Sequence, residues 1–92
     1  MPYIKSELRK KFEIILFYFK VRKELQNMTA GEINYLLTII LDRQLGPSIT
    51  YARANELIGV LECVKLEIYR QVISKYEDLK ERENGTVYEK RN

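Results

Sequence analysis

Ninety-two residues, 46% hydrophobic and 32% charged, suit one small folded domain with a modest core and exclude a disordered chain. Sixteen basic and thirteen acidic side chains leave a net charge of +3 without a dense Lys/Arg block, so nucleic acid is not the expected partner. The single Cys63 rules out an intramolecular disulfide and is expected to pack in the core; the longest apolar run, Ile14 to Phe19, is far short of the ~20 residues that cross a bilayer, and the N-terminus lacks a signal-peptide layout. The expectation is a cytoplasmic protein without a membrane partner.

The first helix is predicted over about residues 6–25, because Leu8, Phe12, Ile15 and Phe19 recur at helical spacing. Ile14, Leu16, Phe17 and Tyr18 widen that stripe, and their β-branched and aromatic character makes a strand over 14–19 the competing reading. The second helix, about residues 30–45, opens on a Thr29-x-x-Glu32 capping box with Met28 and Ile33 placed as a hydrophobic staple. Ile33, Leu36, Leu37, Ile40 and Leu41 trace its apolar face, and Gly46-Pro47 ends it.

Ser48 or Thr50 is placed to cap a third helix over about residues 50–83, stopped at Asn84-Gly85, with Gly59 as either a bend or a close helix contact. Such a rod is roughly 50 Å long, more than a three-helix monomer of this size accommodates. It carries two stripes: Leu57, Leu61, Val64, Ile68 and Val72 for its own chain to cover, and Ile58, Leu66, Tyr69, Ile73 and Tyr76 beside them. The fold class is therefore all-α, a three-helix antiparallel bundle or hairpin in one domain over residues 1–85. It is expected to form homo-oligomers through the long helix, with Ile58, Leu66, Ile73 and Tyr76 at the interface and 86–92 as a flexible tail.

The chain contains no His, its one Cys therefore lacks a His partner, and it has no Gly-rich phosphate loop or metal-ligand cluster. A non-enzymatic protein without a cofactor is expected. Glu62 and Glu67 are the carboxylates that acid–base work would need, against the plainer reading that they are solvated or salt-bridged. Glu62 interrupts the second stripe between Ile58 and Leu66, so it needs a cation such as Lys65, Arg53 or Arg70, as an internal ion pair or within a ligand site.

Tyr51, Asn55, Gly59 and Glu62 form a polar, small-residue strip that Asn34 and Tyr35 could face, as an interhelical network or a cleft. Tyr3 with Lys5, Tyr51 with Arg53 and Tyr69 with Arg70 pair rings with cations, a vocabulary shared by nucleotide sites and protein interfaces.

The opening Met1-Pro2-Tyr3-Ile4, the block Gly31-Glu32-Ile33-Asn34-Tyr35, the run from Gly59 to Arg70, Tyr76-Glu77-Asp78 and the ending Asn84-Gly85-Thr86-Val87-Tyr88 resemble a family of short proteins from phages and bacteria without an assigned activity. The resemblance spans nearly the whole chain and implies no catalytic residues. By analogy with small phage proteins that sequester nucleotide messengers of host immunity, it implies a counter-defence role. The leading expectation is a helical oligomer holding a small anionic, nucleotide-like ligand through Tyr3, Tyr51, Arg53, Asn55, Tyr69 and Arg70, with Glu62 positioning a donor. The rival is a module that docks on a host or virion protein.

Overall fold

The computed structural model describes residues 2–91, and every regular element among them is helical. The chain divides into two compact units, Met1–Ile58 and Gly59–Asn92. No helix among the described residues is long and apolar enough to cross a membrane.

The first unit starts with α1 (Ser6–Arg9), which tightens into a 3-10 turn at Lys10–Phe12 and relaxes into α2 (Glu13–Val21). The run from Ile14 to Phe19 is thus helix, not strand. The first helix does not continue to residue 25: Arg22 is extended at φ −95° and ψ 106°, and a single turn, α3 (Lys23–Gln26), follows. Side chains hold this break. Gln26 Nε2 donates to the Lys20 carbonyl at 2.6 Å, a carbonyl near the end of α2, and Arg22 pairs with Glu24 at 2.6 Å. The Glu24 carboxyl sits below its ordinary pKa, first through its own backbone N–H and then through Arg22.

α4 (Ala30–Leu45) begins with the complete capping box: Thr29 N–H donates to Glu32 Oε1 at 2.9 Å and Glu32 N–H to Thr29 Oγ1 at 3.2 Å. Those bonds favour the ionised carboxylate and hold Glu32 below its usual pKa. At the other end Gly46 adopts φ 77°, a backbone state that costs any other residue steric strain. α5 (Tyr51–Ile68) is capped by Thr50, whose Oγ1 accepts from Arg53 N–H at 3.1 Å.

Leu57 of α5, 8% exposed, is the one buried hydrophobic among the described residues. Leu25, Met28, Leu36, Ile39, Leu41 and Leu45 are half-buried. Ile33, Leu37 and Ile40, read as part of the core face of α4, are exposed, as are Leu8, Phe12, Ile15 and Phe19 of the first helix. A helix apolar over so wide an arc does not specify which side packs. Cys63, expected in the core, is exposed.

In the second unit the helical path continues from α5 through a π turn at Tyr69–Ile73 into α6 (Ser74–Asn84), ending where Gly85 takes φ 86°. The backbone irregularity of the rod is here and not at Gly59, around which a Cβ would meet nothing within 4 Å. Of the stripe left to its own chain, Leu61 is half-buried, whereas Val64, Ile68 and Val72 are exposed.

Candidate functional site

The residues singled out for ligand contact fall in both units. In the first, Arg53 is engaged: its Nε donates to the Gln44 carbonyl at 3.1 Å, Nη2 to Gln44 Oε1 at 3.4 Å, and Nη1 lies 3.9 Å from Glu56. A guanidinium on a carbonyl of the last turn of α4 meets the negative end of that helix and clasps α4 to α5 across the Gly46–Thr50 loop. Arg53 therefore ties the start of α5 to the end of α4. Tyr51, 91% exposed, stands at the helix start, and Tyr3 and Asn55 are also exposed. Asn34 Oδ1 accepts from Thr38 Oγ1 at 3.3 Å, and Tyr35 lines an open, largely apolar recess of 540 Å³ with Leu25, Met28 and Leu36.

In the second unit Glu62 pairs with Lys65 at 3.0 Å, the i+3 partner foreseen, but its side chain is 57% exposed and so carries little burial cost. Glu67 is the better-covered acid, with a side chain 17% exposed that accepts from Arg70 Nη2 at 2.7 Å and Gln71 Nε2 at 3.4 Å. Arg70 is thus committed to Glu67. These contacts lead into the π turn, the one such turn among the described residues and of a kind often met at functional sites.

The turn has a side-chain explanation. Ser74 N–H reaches back five residues to the Tyr69 carbonyl, which deprives the Arg70 carbonyl of its ordinary i+4 donor. Ser74 Oγ supplies the missing bond, donating to that carbonyl at 2.9 Å. One extra residue in the turn sets everything after it back by roughly 100° relative to a regular α-helix.

The consequence is a change of register. In an unbroken α-helix, residues 69 and 77 differ by about 80° around the axis; with the extra residue the difference falls to about 20°. Tyr69 OH accordingly donates to Glu77 Oε1 at 2.5 Å. That bond, then the Glu77 charge, with smaller contributions from burial, Tyr88 and Asp78, raises the Tyr69 pKa above its usual 10.0. The same rotation carries Tyr76 off the line of Leu66 and Tyr69, where α-helical counting put it, toward that of Ile68 and Val72.

Beyond the π turn, α6 and residues 85–88 border an open cleft of 440 Å³ lined by Tyr76, Glu77, Asp78, Lys80, Glu81 and Tyr88, among others. Lys80 Nζ lies 5.5 Å from the Tyr76 ring centroid and 3.3 Å from Glu83. With three carboxylates against one lysine, this cleft itself disfavours an anion. Val87 and Tyr88 remain exposed.

Sequence reasoning missed Ser74 and Glu77. The only signal was a serine inside a helix, a residue that bonds back to a carbonyl four positions earlier. It also missed a charge division: residues 5–23 carry seven basic and two acidic side chains, a net +5, which leaves the remainder at −2.

No curated protein and no solved structure matches the chain. One family model does, over residues 1–87, and its description is "Domain of unknown function (DUF6899)". A match across nearly the entire length, capping box and π turn included, makes this chain a member of the DUF6899 family.

Proposed function

We propose that this chain is a non-enzymatic helical binding protein that acts as an assembly of its own copies, joined through Leu66 and Ile73 of the long helix. One observation carries the reading: Leu66 and Ile73 are exposed on a rod whose chain buries a single hydrophobic residue among those described. Apolar surface left in water is the driving force that association removes. Tyr69 flanks the stripe with its hydroxyl held by Glu77, so its ring adds apolar area without an unpaired polar atom.

A second reading adds a small anionic, nucleotide-like ligand held by the assembly. It is favoured by Tyr51, almost wholly exposed and two residues from Arg53, and it requires Arg53 to exchange Gln44 for phosphate.

Native mass spectrometry of freshly purified protein tests both readings, because it reports subunit number and retained small molecules together. Self-association predicts a discrete oligomer that the double variant Leu66→Asp, Ile73→Asp reduces to monomer with unchanged helical circular dichroism. A parent protein that sediments as a monomer at 100 µM, roughly a hundred times a micromolar Kd, removes the proposal. Calorimetry with cyclic dinucleotides and ADP-ribose derivatives tests the ligand, and absent heats remove the second reading alone. A stoichiometric foreign protein that survives nucleotide removal and replaces self-association would establish the docking-module alternative.

A further inference from the structure

We infer that α2 is a lipid-surface anchor that binds anionic membranes from one side. Two observations meet there. The six residues from Ile14 to Phe19 are consecutive and all exposed, with Ile14 at 71% and Phe17 at 60%. At about 100° per residue they cover more than a full turn of helix, so apolar surface extends around the whole circumference. This helix is also bracketed by cations, with Lys10 and Lys11 before it, Lys20 and Lys23 at or beyond its end, and Arg22 paired with Glu24. Lys11 already lays its stem along an aromatic ring, its Nζ 5.3 Å from the Phe12 centroid.

Charge selects the occupant. Residues 5–23 of a second copy would bring one net +5 segment against another in either orientation. α6, the acid-rich helix of this chain, offers only Tyr76 and Leu79 as large apolar residues, too few to cover six. An anionic lipid surface supplies both missing components: acyl chains for the apolar circumference, and phosphate or carboxylate headgroups for lysines and arginines that snorkel at each end. At nine residues α2 is about 13.5 Å long, under half the thickness of a bilayer core, so it lies in the interface and does not span. The inference is independent of self-association through Leu66 and Ile73.

Flotation of the full chain tests it, with vesicles of phosphatidylcholine alone and of phosphatidylcholine containing one-third phosphatidylserine. The expected result is at least tenfold more protein on the anionic vesicles, lost in 0.5 M salt. The variant Lys10→Glu, Lys11→Glu, Lys20→Glu keeps the apolar helix and should lose the anionic preference. Leu16→Glu with Phe17→Glu should abolish flotation, with circular dichroism confirming that the fold survives. Three outcomes overturn the inference: no flotation on either vesicle, equal flotation on both, or hydrogen exchange showing α2 protected in lipid-free protein because a copy or another protein covers it. If the double glutamate variant fails to fold, the lysine variant and the salt dependence still decide.

Discussion

The two units secure their helices differently. The first is punctuated: a capping box, an extended residue at Arg22, a glycine stop and the Arg53 clasp divide its chain into short helices. The second is one continuous helical path whose only irregularity, the π turn, is fastened by Ser74 and by Tyr69 on Glu77. Punctuation fixes where helices begin and end; the π turn fixes which side chains share a face after it. Errors in the first kind of feature move a boundary, whereas an error in the second rotates an entire surface.

Removing the most buried side chain should break the first unit most severely. Leu57→Ala is expected to cost about 2–4 kcal/mol by urea denaturation, and a cost under about 1 kcal/mol would show that Leu57 is not its central packing contact. Thr29→Ala comes next, at about 1 kcal/mol, with faster amide exchange confined to the first turn of α4. Exchange rising evenly along α4 would mean that the cap does not act locally.

In the second unit, Ser74→Ala removes the donor that compensates the Arg70 carbonyl, at a cost of about 1 kcal/mol or less. Its sharper readout is register. If the turn reverts to α-helix, Tyr69 and Glu77 separate, and the Tyr69 titration followed by ultraviolet absorbance should return toward 10.0. A titration unmoved in Ser74→Ala would detach Ser74 from the register.

Titration separates the units most gently. Glu32 is lowered below 4.5 in the folded chain, so its contribution is complete above pH 4.5 and fades as pH falls through the lowered value. Tyr69 is raised above 10.0, so its contribution is complete below pH 10 and fades as pH rises through the raised value. Acid should therefore loosen the Arg22–Glu24 break and the start of α4 first and alkali the π turn first, as seen in residue-resolved nuclear magnetic resonance. Simultaneous loss at both ends of the pH range would contradict this separation.

The local features were legible because their physics is local. Thr29 with Glu32, Gly46, Thr50 and Gly85 act on backbone groups within a few residues, and the amino-acid order alone specifies them. For the candidate site, the sequence identified Lys65 as a partner of Glu62 but offered Arg53 and Arg70 to a ligand, whereas the structure engages them with Gln44 and Glu67. Nothing in residue spacing tells a free guanidinium from one that bonds a carbonyl nine residues away.

What the sequence determined by itself is an all-helical chain with its main stops and caps, since helix periodicity and terminal hydrogen bonding are properties of neighbouring residues. Only the tertiary structure decided that Leu36, Ile39, Leu41 and Leu45 are partly covered on α4 while Ile33, Leu37 and Ile40 are not, and that Glu77 rather than Tyr76 comes into line with Tyr69. The physical reason is that broadly apolar helices have several faces of similar burial energy. Small terms summed over the fold, such as one serine hydroxyl on one carbonyl, then choose among them.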